Sequence, residues 1–553
     1  MKIKVGNKRL VLSKSDFVAS GGEASVYAKG STAYKIYSNK KQTLPSKKMT
    51  ELSVLTHPGI IKPLDLIYDG NKVIGYSMRY IPSTWTLCQL FTKAFRERHK
   101  IKNDRILDLV KKIREVVQHC HEKGILIVDL NEMNVLTDKK FKEPYFLDVD
   151  SYQTPSFPAT ALMESIRDRH NKKFSEGTDW FAFAIISFEM FIGIHPYRGK
   201  HNNYKGLDER MKRNLSVLNK DVSVPPICQS LKVIPKAYLD WYTAVLEKGE
   251  RTAPPADFVA PAIIIPIVKK RIGKGRVSRT TLDDLPQDIN EFLFHGGTYY
   301  YLTDNSIVGQ RTVNGDFKDG HMAWSNKPFV VALRDSKVVI TDGETGNVTK
   351  TPQSGEDMAW GNGTVLVKNE GKLVELGILP NGNPYPLRIH NVLPKATKCF
   401  HGCVVQDMFG TCQVSLFPKK NTCWHYNVTE LKGYRIIDAK FQANNEGTVG
   451  VFCAIGYDGK KYDRVTMTAT ATDTQVMVDK DVAERDVNFA LLDSGTCVLA
   501  LGDQKARVFK ARIGSTSSME VDDDWGSILW AAGDKLVASE GKSMEHLSLS
   551  KGN

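Results

Sequence analysis

The sequence lacks the features of an extracellular, disulfide-stabilised protein. Its nine cysteines are an odd number, are scattered and include no Cys-x-x-Cys pair, so a disulfide framework is not indicated. The opening segment MKIKVGNKRLVLSKSD contains no apolar signal core. We therefore expect a reducing compartment of the cytoplasmic type.

Long hydrophobic runs are also missing. The two longest apolar stretches lie at residues 181–194 and 258–268, and they contain Glu189 and two prolines respectively. Both are shorter than the roughly 20 apolar residues that a helix needs to span a bilayer. We therefore expect no contact with the membrane interior.

Positive charge is abundant, with a formal net charge of +14. Such an excess attracts phosphates, nucleic acids and acidic partners, but it is also found on ordinary solvated surfaces. The densest basic run, residues 269–279, contains no aromatic side chain on which a base could stack. We favour the solvated surface and keep nucleic acid as a minor alternative.

The chain changes character near its middle. From Phe17 to about Val268, strand-like pieces alternate with helical ones, and residues 104–123 repeat apolar side chains at helical spacing. From residue 291 onward, short β-rich runs are bounded by Gly, Asn and Asp. The pattern predicts an α+β domain over 1–268, a basic linker over 269–290 and an all-β domain over 291–553.

The all-β part contains weak internal repetition. Trp324 and Trp360 stand in matched Met-Ala-Trp contexts, and similar strand–turn–strand phrases recur roughly every 30 to 50 residues, which is the range for one blade of a β-propeller. We predict a propeller of six or seven blades, with a pair of β-sandwiches as the alternative. The two tryptophans are interpreted as packing residues between blades rather than as a ligand cage.

A glycine-rich turn precedes a lysine in the first part. Gly21 and Gly22 in ASGGEASVYAK remove Cβ atoms where a backbone could approach a ligand closely, and Lys35 follows in the strand-like TAYKIY. A lysine there could neutralise phosphate oxygens. Taken alone, the same residues also describe an ordinary hairpin with a lysine on an exposed strand face.

Five further motifs follow in a fixed order, and together they resemble the subdomains of the Hanks-type protein kinase family. They are HPGIIKPLDLIYD (57–69), IGYSMRYIP (74–82), HCHEKGILIVDLNEMNVL (119–136), YFLDVDSYQ (145–153) and GTDWFAFAIISFEMFIGIHPYRG (177–199). The variant DVDSYQ resembles a divergent bacterial and phage-like branch. The resemblance implies a bilobal α+β kinase-like fold.

The resemblance also implies a binding site for ATP. Lys35 is expected to hold the α and β phosphates beneath the glycine-rich loop. The segment from Met78 to Ile81 is expected to form the hinge that faces the adenine. The residues that the resemblance assigns to the nucleotide are Ala19, Ser20, Gly21, Gly22, Glu23, Ala24, Val26, Lys35, Met78, Arg79, Tyr80 and Ile81.

The catalytic loop, IVDLNEMNVL, carries the remaining chemistry. Asp129 falls on the aspartate that orients the substrate hydroxyl, and Asn131 falls where the family usually has a catalytic lysine. Asn134 and Asp148 fall on the ligands of Mg²⁺, a cation that prefers oxygen atoms. The family's His-Arg-Asp reads Ile-Val-Asp here, with Val128 in place of the arginine.

Three structural roles complete the assignment. Asp179 is expected to anchor the catalytic loop, and Arg251 to pair with Glu164 or Glu176. The helix glutamate that should pair with Lys35 is harder to assign. Counting back from the HPGI motif by the family's usual interval reaches Lys48. Glu51, one helical turn further on, is our candidate.

The functional prediction is an ATP- and Mg²⁺-dependent serine/threonine-type protein kinase, whose all-β domain docks a protein substrate or partner. The alternative is a pseudokinase, an interaction scaffold that binds nucleotide without efficient transfer. Three departures from the family motivate that alternative: Ala19 and Ala24 in place of two loop glycines, the missing arginine, and Asn131.

Overall fold

The computed structural model describes residues 1–21, 23–39, 43–160, 162–225, 227–256, 277–502, 505–522 and 525–549. The main division between two compact units falls after Arg271. Among the described residues, no helix combines the length and apolar character needed to cross a membrane. None of the nine cysteines forms a disulfide, and seven of them are buried.

The first unit begins with a seven-stranded sheet in the order β2-β1-β6-β7-β5-β4-β3. A three-stranded sheet in the order β10-β9-β8 follows it. The strands are β1 (Lys2–Val5), β2 (Lys8–Val11), β3 (Phe17–Ser20), β4 (Ala24–Lys29), β5 (Thr32–Tyr37), β6 (Leu66–Asp69), β7 (Lys72–Arg79), β8 (Thr84–Thr86), β9 (Val135–Asp138) and β10 (Pro144–Phe146).

Helices make up most of the rest of this unit. The α-helices are α1 (Ser46–Leu52), α2 (Lys93–Arg98), α3 (Asn103–Glu122), α4 (Glu176–Ile192), α5 (Leu207–Lys212) and α6 (Lys236–Tyr242), the last continued by a π-helical turn at Thr243–Glu247. Short 3-10 helices lie at Lys14–Asp16, Leu87–Phe91, Val149–Ser151, Glu164–Ile166 and Leu231–Val233.

Two long helices form the core beneath the catalytic loop. The helix predicted over 104–123 is α3, and it buries the apolar face that the periodicity indicated, including Ile106, Val110 and Ile113. Helix α4 begins with a capping box between Ser175 and Thr178 and buries almost every side chain. A helix that is apolar on all sides belongs inside a protein core, and α4 packs against α3.

The second unit consists of four-stranded antiparallel sheets, seven in number among the described residues. Their strands are β11 (Val277–Asp284), β12 (Glu291–His295), β13 (Thr298–Leu302), β14 (Ser306–Val308), β15 (Thr312–Asn314), β16 (His321–Trp324), β17 (Pro328–Arg334), β18 (Lys337–Asp342), β19 (Val348–Ser354), β20 (Asp357–Gly361), β21 (Thr364–Asn369), β22 (Lys372–Ile378), β23 (Pro384–Asn391), β24 (Thr397–Phe400), β25 (Cys403–Met408), β26 (Thr411–Leu416), β27 (Trp424–Asn427), β28 (Arg435–Ala443), β29 (Gly450–Tyr457), β30 (Tyr462–Ala469), β31 (Thr474–Asp479), β32 (Phe489–Leu491), β33 (Thr496–Leu501), β34 (Lys505–Lys510), β35 (Ser518–Asp522), β36 (Ile528–Ala532), β37 (Lys535–Glu540) and β38 (Ser543–Leu549). A 3-10 turn lies at Thr429–Leu431.

Six of these sheets contain four consecutive strands, from β12–β15 to β32–β35, and the last combines β36–β38 with β11. The first strands of successive sheets contact one another, from β12 through β16, β20, β24, β28 and β32 to β36. Strand β36 in turn contacts β12. The contacts between these first strands therefore form a closed cycle. A pair of β-sandwiches would not give such a cycle.

Part of the predicted linker is ordered as a strand. Residues 277–284 form β11, which pairs with β38 from Val277↔Leu549 to Asp284↔Ser543. The linker prediction over 269–290 is therefore wrong for this stretch, because the strand's partner lies far away in the sequence. Residues 269–276 lie outside the described residues.

The two repeated tryptophans pack between sheets. The Trp324 ring stacks on His295 of the preceding sheet, with ring centroids 3.8 Å apart. Trp360 stacks in the same way on His321, at 3.7 Å. These contacts confirm their interpretation as packing residues.

Candidate active site

Lys35 lies on β5, in the middle of the large sheet. Its backbone is paired with Val26 on β4 and with Tyr76 on β7. The neighbouring Gly75 lets β5 and β7 approach, since a Cβ at that position would lie 2.0 Å from the Lys35 carbonyl oxygen. The lysine is 8 % exposed, so its ammonium must be neutralised inside the protein.

Two aspartates neutralise Lys35. Its Nζ donates to Asp148 Oδ1 at 2.7 Å and to the two oxygens of Asp150 at 2.9 and 3.0 Å. The hydroxyls of Tyr37 and Tyr76 donate to the Asp150 carboxylate, each at 2.6 Å. Both Asp150 oxygens are therefore satisfied, which a buried charge requires.

The electrostatics of this cluster favour its charged form. Burial opposes the ammonium of Lys35, but Asp150 and Asp148 outweigh burial and raise its pKa. Burial likewise opposes the Asp150 carboxylate, whereas Lys35 and the two tyrosine hydroxyls lower its pKa. Lys35 and Asp150 are therefore an ion pair at neutral pH.

Glu51 does not pair with Lys35, so its assignment is wrong. The Glu51 carboxylate accepts the backbone N–H of Ser156 at 3.2 Å. The helix position reached by the usual interval is Lys48, which is buried. Burial lowers the Lys48 pKa, against the opposing fields of Asp150 and Asp148. The counter-charge of Lys35 therefore comes from the Asp-Val-Asp segment rather than from α1.

Asp179, at the start of α4, anchors the catalytic loop as the sequence predicts. Its buried carboxylate accepts the backbone N–H groups of Ile127 and Val128, both at 2.8 Å. The Nε2 of His121 lies 3.0 Å from the same carboxylate. Val128 has a φ of 63°, a left-handed conformation that costs energy for a β-branched residue. The hydrogen bonds to Asp179 hold this strained turn.

Asp129 lies just beyond that turn and is 8 % exposed. Its Oδ1 accepts the backbone N–H of Met163 at 2.6 Å, and its Oδ2 accepts Asn134 Nδ2 at 3.2 Å. Burial raises the Asp129 pKa, and the hydrogen bonds partly offset this rise. A carboxylate with a raised pKa and fixed orientation suits a group that accepts a proton from a hydroxyl.

Asn131, where the family usually has a catalytic lysine, lies inside the loop. The side chain is 1 % exposed, and its Oδ1 accepts the backbone N–H groups of Met133 at 2.8 Å and Asn134 at 3.1 Å. A short amide forms such bonds to nearby backbone readily. Asn131 therefore shapes the loop that carries Asp129 and Asn134, and its catalytic assignment stays a prediction.

Asn134 and Asp148 offer oxygen atoms to a cation. Asn134 donates through Nδ2 to Asp129, which leaves its Oδ1 as the atom suited to a metal. Asp148 has a φ of 56° and a ψ of 34°, and its side chain is 26 % exposed. The backbone joins the two positions, since Leu147 N–H donates to the Asn134 carbonyl at 2.8 Å.

The glycine-rich turn contributes a further carboxylate to this side of the site. The pKa of Glu23 is raised by partial burial, then by Asp148, with smaller effects from Asp150 and Asp129. A Cβ at Gly21 would meet no atom within 4 Å, so protein packing does not demand this glycine. Gly22 lies outside the described residues.

The other residues assigned to the nucleotide lie on the flanking strands. Ala19 and Ser20 end β3, Ala24 begins β4, and Val26 follows on β4. The segment Met78–Ile81 runs from the end of β7 toward β8. Within it, Tyr80 N–H donates to the Ser31 carbonyl at 2.8 Å.

Arg79 within this segment does not point toward a nucleotide through its guanidinium. The guanidinium donates to the Pro58 carbonyl and lies 5.6 Å from the centre of the Tyr145 ring. Its contribution to a nucleotide site is therefore limited to its backbone.

Arg251 forms an ion pair, but with a different partner from those predicted. Its Nε and Nη2 donate to the two Asp168 oxygens at 2.6 and 2.8 Å. Burial opposes ionisation of Asp168, yet the hydrogen bonds from Arg251 and Asn171 lower its pKa. Glu164 and Glu176 are both largely exposed, so the partly buried arginine pairs with the buried carboxylate of Asp168 instead.

Sequence reasoning missed the partners of Lys35. The motifs assign no role to Asp150, Tyr37 or Tyr76. The available signal was a second aspartate two residues after Asp148, in a sequence whose Lys35 has no glutamate at the usual helix position. The hydrogen bond from the Met163 backbone N–H to Asp129 left no signal in the sequence, because every residue except proline carries such a group.

Comparisons with known proteins agree with this geometry. Residues 23–251 match the family model of the protein kinase domain. The chain is 25% identical over 175 residues to a serine/threonine-protein kinase KIN4 of Saccharomyces cerevisiae, an alignment that covers 29% of this chain and 21% of that protein. A serine/threonine-protein kinase PknD of Chlamydia felis is 24% identical over 196 residues, covering 29% and 20%.

The human serine/threonine-protein kinase Nek2 is 22% identical over 170 residues, covering 29% of this chain and 38% of that protein. The chain thus spans about a fifth of the length of the first two relatives. The family match lies within the first unit, and the identity to these relatives is low. Together with the family match, this similarity supports a protein kinase domain over residues 23–251.

Proposed function

We propose that the protein is an ATP-dependent kinase that transfers the γ-phosphate to serine or threonine hydroxyls of a protein substrate. One observation carries the proposal: Lys35 lies 2.7 Å from Asp148, while Asp129 is hydrogen-bonded to Asn134 in the adjoining loop. Phosphoryl transfer needs a cation on the phosphates, metal ligands and an oriented carboxylate. A purely structural domain needs none of these.

ATP and Mg²⁺ are the cofactors that this arrangement fits. Asn134 and Asp148 would hold the metal, which neutralises charge on the phosphates when bound. Lys35 would hold the α and β phosphates, and the open space at Gly21 suits a backbone close to a ligand. Asp129 would orient the hydroxyl and accept its proton, a role to which its raised pKa is suited.

Asp150 would take over the task of the usual helix glutamate. That glutamate normally fixes the lysine so that its ammonium meets the phosphates. Here Asp150 does so from the same short segment as Asp148, with Tyr37 and Tyr76 holding its carboxylate. The lysine and the metal ligand are thus positioned by residues only two apart in sequence.

The test is transfer from labelled Mg-ATP by the full-length chain, to itself and to proteins of a host lysate. Asp129→Asn should lower the rate by about 10²–10⁴-fold, because an amide cannot accept the proton. Mg-ATP should raise the melting temperature of the variant as much as that of the wild type. Asp108→Asn, an exposed change on α3, should leave both measurements unchanged.

The alternative, a pseudokinase, is favoured by Asn131. The family usually has a lysine at this position, and the uncharged Asn131 supplies no cation to the transferring phosphoryl group. This scaffold would bind Mg-ATP and show the same rise in melting temperature. It would release no product with either the wild type or Asp129→Asn, and that result would refute the kinase proposal.

For the second unit we propose a seven-bladed β-propeller that docks the substrate or a protein partner. Support comes from the seven four-stranded sheets and from the contacts that link their first strands into a ring. Crosslinking of the full-length chain in lysate, with and without substitutions on its exposed loops, would test the docking role. Partners captured equally by all variants would contradict it.

Two further assignments are part of this proposal. The Asp-Val-Asp segment supports placement in a divergent bacterial or phage-like branch of the kinases. The nine thiols, none of which is in a disulfide, support a reducing, cytoplasmic-type setting.

A further inference from the structure

Three side chains with metal-binding atoms meet in the second unit, far from the kinase motifs in sequence. His390 lies on β23, the last strand of one sheet, and His425 lies on β27, the last strand of the next. Cys423 precedes β27. Their ligand atoms all lie within 4.8 Å of one another.

The distance between the Cys423 sulfur and a ring nitrogen of His425 fits a tetrahedral metal ion. Zinc binds sulfur at about 2.3 Å and nitrogen at about 2.0–2.1 Å, so a tetrahedral angle separates the two ligand atoms by about 3.5 Å. The measured distance from Cys423 Sγ to His425 Nε2 is 3.5 Å. The two residues, two positions apart, project from the same face of an extended chain.

A contact with a neighbouring strand orients the ring of His425. Its Nδ1 lies 3.0 Å from the Ser415 hydroxyl on the neighbouring β26. A hydrogen bond at one ring nitrogen fixes the ring and assigns the other nitrogen to a ligand, as is usual for metal-binding histidines. Nε2, which faces Cys423, is therefore the nitrogen left for a cation.

His390 supplies a second, independent observation. Its Nε2 is buried and has no hydrogen-bond partner within the described part of the chain. A buried ring nitrogen without a hydrogen-bond partner is energetically costly, which favours a bound ligand at that atom. A hydrogen bond between Cys423 and His425 alone would explain their distance, but it would leave His390 unsatisfied.

The charged side chains around the three potential ligands are compatible with a bound cation. Arg388 is opposite Glu375 in the pairing of β22 with β23. Glu375 Oε1 accepts the Asn421 N–H at 2.7 Å, while its buried Oε2 has no partner among the described residues. A carboxylate thus offsets the guanidinium beside the three potential ligands.

We propose that His390, Cys423 and His425 form a zinc site that ties β23 to β27 across two adjacent sheets. One sulfur and two imidazole nitrogens suit Zn²⁺ better than the hard cations Mg²⁺ and Ca²⁺. Three protein ligands leave the fourth position to water, on the side where His425 is exposed. The site is separate from the proposed phosphoryl-transfer site and does not depend on it.

The test uses the full-length chain, stripped with a chelator and then dialysed against ZnCl₂. We expect one zinc per chain by elemental analysis, and a higher melting temperature with zinc than without. His390→Gln and Cys423→Ser should each lose the bound zinc. Cys399→Ser, which removes a thiol from β24 in the same sheet as His425, is the matched control and should retain it.

Cobalt identifies the ligands directly. After loading with CoCl₂, the wild type should show the charge-transfer absorption of a thiolate bound to Co²⁺, and Cys423→Ser should lose it. Ser415→Ala should weaken zinc binding by about 10–100-fold, the usual effect of removing a group that orients a ligand.

Absence of stoichiometric zinc in the wild type would overturn the site. So would equal zinc in the wild type, His390→Gln and Cys423→Ser, or tetrahedral cobalt spectra without a thiolate band. Retention of zinc by the Cys399→Ser control, measured beside these variants, excludes general misfolding as the reason for a loss.

Discussion

The two units differ in what they bury. The first unit places an ammonium, two carboxylates and two phenols together around Lys35. The second unit builds its interior from aliphatic and aromatic strands, as in the cluster around Cys403, Leu416 and Phe441. Apolar packing tolerates changes of similar volume, whereas a buried charge network fails when one member is lost. Chemistry is therefore expected where the network is.

The largest effect should follow from breaking the network at Asp150. In Asp150→Asn, the new amide nitrogen would face hydroxyl or ammonium donors, so the free energy of unfolding of the first unit should fall by about 3–5 kcal/mol. Phosphate transfer should also be lost. Urea denaturation and labelled ATP measure the two effects.

The control is Asp108→Asn, which breaks only an exposed pair with Arg105 and should cost about 1 kcal/mol or less. If Asp150→Asn proved as harmless as Asp108→Asn, Lys35 would not depend on Asp150.

A smaller loss is expected from an apolar truncation in the second unit. Leu416 is fully buried in the cluster named above, so Leu416→Ala should lower the free energy of unfolding of that unit by about 2–5 kcal/mol. The exposed Leu379 supplies the comparison, and Leu379→Ala should change stability little. Equal effects of the two substitutions would mean that the strands are not packed as described.

The ion pair between Asp168 and Arg251 should have an intermediate effect that depends on pH. Asp168→Asn should cost about 1.5–3 kcal/mol, the range for hydrogen bonds to a charged group. Because the folded pKa of Asp168 is lowered, its stabilisation is present above the unfolded value of about 3.9 and is lost as pH falls through the folded value. Chemical denaturation at neutral and acidic pH measures the difference.

The stability gap between wild type and Asp168→Asn should therefore narrow in acid. Asp208→Asn, at an exposed ion pair, should cost no more than about 1 kcal/mol. A gap for Asp168→Asn that stayed constant down to acidic pH would rule out the ionic contribution.

The smallest change should come from Lys48→Met, which replaces a buried cation by an apolar chain of similar length. Stability at neutral pH should be unchanged or higher. Burial lowers the folded pKa of Lys48. The free energy of unfolding of the wild type should therefore increase relative to that of the variant as pH rises toward the unfolded pKa of about 10.4. A difference between the two proteins that is independent of pH would show that Lys48 is not destabilised by burial. Lys47→Met, the neighbouring change on α1, is the control.

Predictability also differs between the units. The order of motifs sufficed to predict the kinase-like fold and the place of Asp179, because each motif carries its own local structure. The partner of Lys35 could not be predicted in this way, since it depends on which of several acids the fold brings near. The same limit explains the errors at Glu51 and Arg251, where a buried carboxylate was chosen over exposed ones.

In the second unit, strand and turn patterns predicted an all-β structure and its repetition. They could not show that residues 277–284 belong to the last sheet, because pairing over such a distance leaves no local trace. The cluster of His390, Cys423 and His425 escaped for a related reason. Its members are brought together by adjacent sheets rather than by a short motif, and only Cys423 and His425 are near in sequence.

The pairing of β11 with β38 has a consequence for synthesis on the ribosome. Arg279 on β11 and Glu545 on β38 form a hydrogen-bonded pair at 3.0 Å across 266 residues. At about 5–20 residues per second, translation of this interval takes roughly 13 to 53 seconds. Throughout that time β11 has been made but its partner has not. The six sheets of consecutive strands can form while the chain emerges, and the seventh is completed last.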